Sequence, residues 1–339
     1  MTKLKDIISK SAFDQVKKKD MPKWISPMLA TLTHEYFDDP NWIYERKLDG
    51  ERCLIYCDSN KKIKMMSRNK KELNDRYPEI VEALEKLKVK DYIVDGEIVA
   101  FEDNVSDFSK LQGRMHLGKD EDVEESDVDV YYYIFDVLYM DGYELKDISL
   151  KERKKVLKEY FDFKSPIFYT KHVKEDGKEA LRDACQKGWE GLIAKDYNSH
   201  YVSSRSKKWL KFKCENNQEF VIVGFTDPGG ERIGFGALLL GYYDDGDLKY
   251  AGKVGTGFTD DLLENLSKAF KDIETDECPL ENPNDVEEDN IHWLEPKMVG
   301  QVTFTEWTES NKLRHPSFQG IRDDKDPKDV VHEEKRGKD

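Results

Sequence analysis

Lys47 stands in KLDGER (47–52), just ahead of an Asp-Gly pair. A lysine amine is a nucleophile only when deprotonated, and nearby cations or desolvation lower its pKa towards neutrality. Arg52, in the same hexapeptide, would lie near it across a hairpin turn. By itself the spelling fits a solvated lysine beside a turn equally well. Glu97 in DGEIVA (95–100) and Glu190 in WEGLIAK (189–195) lead into or lie within apolar runs. Two carboxylates at the edge of a buried sheet could hold Mg²⁺, which takes oxygen ligands and keeps several waters. Lys211 and Lys213 in KWLKFK (208–213) share one face of a strand, while Leu210 and Phe212 share the other. Two ammonium groups on one face suit a polyphosphate, or they guard an edge strand. Phe135 in YIFDVLYMDG (133–142) could stack on a base or sit in the core. The seven histidines form no H-x-x-x-H pair, and none is assigned chemistry.

The elements that must position these groups change character along the chain. Residues 1–20 read as one short basic amphipathic helix. From 42 to 66 apolar and polar residues alternate around a DSNKK turn, the pattern of a hairpin. Residues 78–87 read as a helix opened by proline, and 107–115 as another. Ser149 with Glu152 has the spacing of a capping box, and 177–188 reads as a helix stopped by glycine. After Cys214 short strands recur with one helix near 259–270, which predicts a small β-barrel. The expected organisation is a basic helical segment (1–20), a first domain (21–215), a second domain (216–328) and a charged flexible tail (329–339).

The 339 residues carry a formal charge of −15, which taken alone opposes nucleic-acid binding. Two runs, 120–129 and 273–290, hold seven and eight acids with no base. Without them the acids equal the 55 bases, so local basic patches remain available. Both runs read as surface loops. The five cysteines have no zinc spacing and read as reduced, with Cys53 and Cys57 packed in the core. No signal-like or membrane-spanning apolar run occurs, so a cytoplasmic, nucleoid-associated protein is expected.

Seven pieces in one order resemble the covalent nucleotidyltransferases, and within them the ATP-dependent DNA ligases. They are KLDGER (47–52), SRN (67–69), DGEIVA (95–100), YIFDVLYMDG (133–142), EGLIAK (190–195), KWLKFK (208–213) and RHPSFQGIRDDK (314–325). The linking text is similar to the ligase component of prokaryotic end joining, DNA ligase D type. The resemblance implies an α+β fold: an adenylation domain of antiparallel sheets with helices, then an OB-type β-barrel. It implies that ATP adenylates Lys47, with Mg²⁺ (or Mn²⁺) as the metal. Glu45 would contact the adenine amino group and Phe135 would stack on the ring. Arg52, Arg68 and Glu97 would hold the ribose and a phosphate. Glu190, with Glu97, would bind metal. Lys195, Lys211 and Lys213 would meet the nucleotide, and Arg322 with Lys325 would orient pyrophosphate. Nicked or broken duplex DNA would lie on 61–71, with Arg68, Lys70, Arg114 and Arg205 as contacts. A Ku-type end-binding partner and a monomeric state are expected. An RNA ligase, an mRNA-capping guanylyltransferase and a non-catalytic DNA-end scaffold are the rival readings.

Overall fold

The computed structural model describes residues 3–115, 126–174, 176–214, 216–230, 232–308 and 310–333. It divides into two compact units, Met1–Cys214 and Glu215–Asp339. The strands of the first unit that build the site are β1 (Leu29–Leu32), β2 (Trp42–Arg46), β3 (Glu51–Cys57), β4 (Ile63–Ser67) and β5 (Tyr92–Val99). They continue with β6 (Tyr131–Met140), β7 (Ile167–Tyr169), β8 (His172–Val173), β9 (Gly191–Asp196) and β10 (Arg205–Lys213). Its helices are α1 (Pro78–Glu85), α2 (Phe108–Met115), α3 (Leu150–Tyr160) and α4 (Gly177–Gln186).

Two sheets form. One runs β4-β3-β5-β6, antiparallel, with β7 parallel on β6. The other runs β8-β2-β9-β10-β1, with only β10 and β1 parallel. Alternation along β3 separates the layers. Cys53, Ile55 and Cys57 pack in the core shared with α1, α2 and α3. Leu54 and Tyr56 point the other way, into a core that joins the two sheets through Phe135, Ile193, Tyr201 and Trp209. The outer face of the second sheet, with Tyr44, Leu192 and Phe212, is covered by Leu181 and Ala184 of α4.

The second unit contains β11 (Asn216–Thr226), β12 (Leu238–Asp244), β13 (Asp247–Val254), α5 (Asp260–Phe270), β14 (Ile291–Phe304) and β15 (Ser317–Ile321). Its sheet runs β13-β12-β11-β14, with β15 also on β14. Thr259 caps α5 by accepting from the Leu262 N–H.

Several expectations are corrected. The N-terminal segment is two single-turn helices, Leu4–Ile7 and Lys10–Phe13. Ser9 interrupts it: its hydroxyl accepts from Ala12 N–H, and its own N–H donates to Glu152. That bond takes Glu152 away from Ser149, so the capping box is not made. β2 and β3 are not a hairpin. They lie in different sheets, and residues 47–50 cross between them. Cys53 and Cys57 are buried and free, but Cys185 and Cys214 are joined by a disulfide, because the end of α4 meets the end of β10. The tail is pinned through residue 333. Val330 carbonyl accepts from Tyr243 N–H, and His332 stacks on Trp307 at 4.0 Å. Residues 273–290 are largely exposed, as expected, whereas 120–125 lie outside the described residues.

Candidate active site

Lys47 follows β2 directly, and its backbone N–H donates to the Gly191 carbonyl at 2.9 Å. Register sets the neighbours. Ile193 lies opposite Glu45 on one side and Lys211 on the other. Gly191 lies opposite Lys213, and Lys195 opposite Trp209. Directly paired residues share a face. Glu45, Lys195, Trp209, Lys211 and Lys213 therefore face the first sheet together, where Phe135 waits. Two glycines permit this crossing. A Cβ on Gly50 would stand 2.0 Å from the Ile98 carbonyl oxygen, and one on Gly191 2.0 Å from that of Phe212.

Three charge clusters converge. The Lys47 ammonium pairs with the Glu190 carboxylate; both side chains are mostly covered. Arg52 makes a two-pronged bridge to Asp95 at 2.5 and 2.6 Å, and Tyr201 donates to the same carboxylate at 2.6 Å. Burial disfavours the Arg52 cation, but Asp95 more than offsets this and keeps it charged. Glu45 is 2% exposed and pairs with both Lys195, at 2.6 Å, and Lys154. Burial would raise the Glu45 carboxyl, yet the two lysines hold it below its ordinary value. Burial, helped by the Lys154 charge and opposed by Glu45, pushes Lys195 down to about 8. Below these groups Arg153 grips Asp136 at 2.7 and 2.9 Å, fixing the residue next to Phe135.

Phe135 is already in contact with cations. The Arg52 guanidinium lies 4.4 Å and the Lys195 nitrogen 4.2 Å from its ring centre. Glu97 is half-buried in β5, opposite Arg52 on one side and Tyr133 on the other. A cavity of about 1050 Å³ opens at the edge of the second sheet. It is lined by Tyr44 and Arg46 rather than Glu45 and Lys47, so it is not the chemical centre.

The expected DNA contacts fare differently. Lys70 is exposed, 5.5 Å from the Trp24 ring centre, and Arg68 is half-buried. Arg205 donates to the Ala30 carbonyl at 2.6 Å. Arg114 is 3% exposed, bridges Glu79 at 3.0 Å through both oxygens and donates to the Arg76 carbonyl, which braces α2 against α1. Arg322 and Lys325 belong to the second unit. Arg322 is 6% exposed and donates to Asp324 at 2.8 and 3.0 Å and to Gln301 at 2.9 Å. Lys325 pairs with Glu219 at 3.0 Å.

Four contributors escaped the sequence reading: Asp95, Lys154, Tyr201 and Trp209. Asp95 adjoins Gly96 in DGEIVA and could have been found as a partner for Arg52. Lys154 lies in KERKK, a run that reads as a solvated face, and offers no signal.

Paired, mostly antiparallel sheets that set a lysine among carboxylates and cations, followed by an OB-type unit, are the fold of a nucleotidyltransferase. The family model described as ATP dependent DNA ligase domain matches residues 27–213, and that described as ATP dependent DNA ligase C terminal region matches 231–325. The chain belongs to the ATP-dependent DNA ligase family. It is 35% identical over 327 residues to the multifunctional non-homologous end joining protein LigD of Pseudomonas aeruginosa, covering 94% of this chain and 38% of that protein. The LigD protein of Mycolicibacterium smegmatis is 33% identical over 337 residues, covering 98% and 42%. The chain thus spans about two fifths of these relatives. A solved mycobacterial DNA ligase D complexed with ATP and MES superposes with a TM-score of 0.65 at 32% identity, covering 91% of this chain and 98% of that one. Among the described residues no helix is long and apolar enough to cross a membrane.

Proposed function

We propose that this chain seals nicked or broken duplex DNA with ATP, through a phosphoramidate bond between Lys47 Nζ and AMP. The observation carrying this is the single sheet face that sets Lys47 among Glu45, Lys195, Lys211 and Lys213, with Glu190 against it. The neutral amine attacks the α-phosphorus of ATP, and the bond to pyrophosphate breaks. AMP then passes to the 5′-phosphate of a nick, and attack by the 3′-hydroxyl expels it. Positioning and charge supply most of the barrier reduction, since phosphoryl-type transfer needs little covalent help beyond the nucleophile.

In this reading Phe135 stacks on adenine and Glu45 takes its amino group. Arg52, Arg68 and Glu97 hold ribose and phosphate. Lys195, Lys211 and Lys213 meet the phosphates, and Arg322 and Lys325 act on pyrophosphate from the second unit. Among the described residues no group of three or more His, Cys, Asp or Glu is placed to hold a metal ion by itself. Mg²⁺ commonly takes one or two carboxylates plus substrate phosphates. Glu190 and Glu97 therefore fit a cation that arrives with the nucleotide, Mg²⁺ or Mn²⁺, and it would neutralise phosphate charge. The basic stretch 61–71, with Arg68 and Lys70, and the segment around Arg205 form the DNA face. End joining, recruitment by a Ku-type end-binding protein, a monomeric state and association with the nucleoid complete the proposal.

Incubation with labelled ATP and a divalent cation tests it, followed by chase with nicked DNA. A labelled protein that transfers its label and seals the nick is the expected result. Labelling by GTP instead, or sealing confined to nicked RNA, assigns the chain to the capping or RNA-ligase reading. No nucleotide adduct at all supports the scaffold.

A further inference from the structure

Lys154 is a buried lysine that the proposed chemistry leaves unused. It sits on α3 between Arg153 and Lys155 and is 1% exposed. Its ammonium pairs with one oxygen of Glu45, while Lys195 takes the other at 2.6 Å. Each lysine also lies on aromatic surface. Lys154 is 4.9 Å from the Tyr169 ring centre, and Lys195 is 4.2 Å from that of Phe135 and 4.0 Å from that of Trp209. His172 lies beside them and is pushed down to about 4, first by burial and then by the Lys154 charge, so it adds no cation near neutral pH.

Burying a lysine is costly unless its charge is met. One carboxylate is met in charge by one lysine, and Lys195 already supplies it. With Arg153 and Asp136 cancelling each other, Lys154 leaves the buried cluster one positive charge in excess. Charge balance therefore does not explain it. Geometry does. With a cation on each oxygen, the Glu45 carboxylate cannot rotate and stays ionised. An ionised carboxylate only accepts hydrogen bonds, and each oxygen has a second lone pair. Such a group attracts an exocyclic amino group and repels a carbonyl oxygen at the same place.

We propose that Lys154 is a positioning residue for base recognition, fixing the Glu45 carboxylate as an acceptor for the amino group of a 6-aminopurine. This rests on the reading of Glu45 as the adenine contact. It makes selection of the base a property of α3 as well as of β2.

The test compares adduct formation at Lys47 with ATP and with purine riboside triphosphate, which lacks the amino group. Wild type, Lys154→Met and Lys154→Arg are measured. Both nucleotides act on the same preparation, so their ratio is independent of how much protein folds. The wild type should prefer ATP. Lys154→Met should reduce that preference by about tenfold, the scale of one hydrogen bond to a charged group. Lys154→Arg, which keeps the charge, should restore most of it. An unchanged ratio in Lys154→Met, with both nucleotides slowed alike, overturns the proposal and leaves Lys154 as a brace for the strand. A wild type labelled by neither nucleotide overturns the ligase reading itself, and is recognisable before any variant is made.

Discussion

The ammonium of Lys47 is held by the carboxylate of Glu190, 143 positions further along the chain. An ammonium only donates and has no lone pair for phosphorus. Attack requires the pair to open, and a cation arriving with the nucleotide phosphates would give Glu190 another partner. Lys47→Arg retains the charge and can keep the bridge, but a guanidinium stays protonated in proteins. It should melt within about 2 °C of the wild type and form no nucleotide adduct. An adduct in this variant, mapped by mass spectrometry, would move the nucleophile elsewhere.

Gly50 limits how the nucleophile is delivered. A methyl group there would meet the Ile98 carbonyl oxygen at 2.0 Å, which is backbone and cannot swing aside. Gly50→Ala should lose about 3 kcal/mol or more of stability, and adduct formation should fall even in the fraction that folds. Denaturant unfolding measures the first quantity. A loss under about 1 kcal/mol would show that the crossing between sheets has slack.

Lys195 ties stability to pH. Burial lowers it to about 8 in the folded chain against an ordinary value of 10.5. Between those values the unfolded chain binds a proton that the folded chain does not, so this group makes stability rise with pH across that window. Below the folded value both states are protonated, and the burial penalty is fully present. Lys195→Met should flatten the rise between pH 8 and 10.5 relative to wild type. Parallel curves for the two proteins would disprove the shift.

Arg322 separates two roles. Asp324 is buried, which pushes its carboxyl up, but Arg322 holds it below the usual carboxylate value. Removing the guanidinium strands that charge, so Arg322→Ala should lower the melting temperature of the second unit. If Arg322 also acts on pyrophosphate, self-adenylation should fall further than sealing of a pre-adenylated nick. Equal loss in both assays would reduce it to the structural role.

Much of this was legible in the residues. Alternation along 51–57 marks β3, and the spacing of Lys211 and Lys213 fixes their common face. The proline at 78 and the Gly stop after α4 mark helix ends because their physics is local. What failed was decided at long range. Asp49-Gly50 spells a hairpin, but whether β2 pairs with β3 depends on β9, far along the chain. Ser9 breaks a helix because Glu152 waits for its N–H. Arg114 is turned inward because α1 supplies Glu79. Lys154 is the extreme case, since nothing in a run of lysines and arginines marks the one that faces inward.

Phe135 has the broadest consequence. Its ring is not a vacant shelf, because Arg52 and Lys195 already rest on it. On the proposed reading, a base that stacks on this ring competes there with Arg52, and part of the gain from stacking is spent on moving that side chain aside, while Lys195 stays on Glu45. A fragment carrying the base without its phosphates should then bind more weakly than its stacking area suggests.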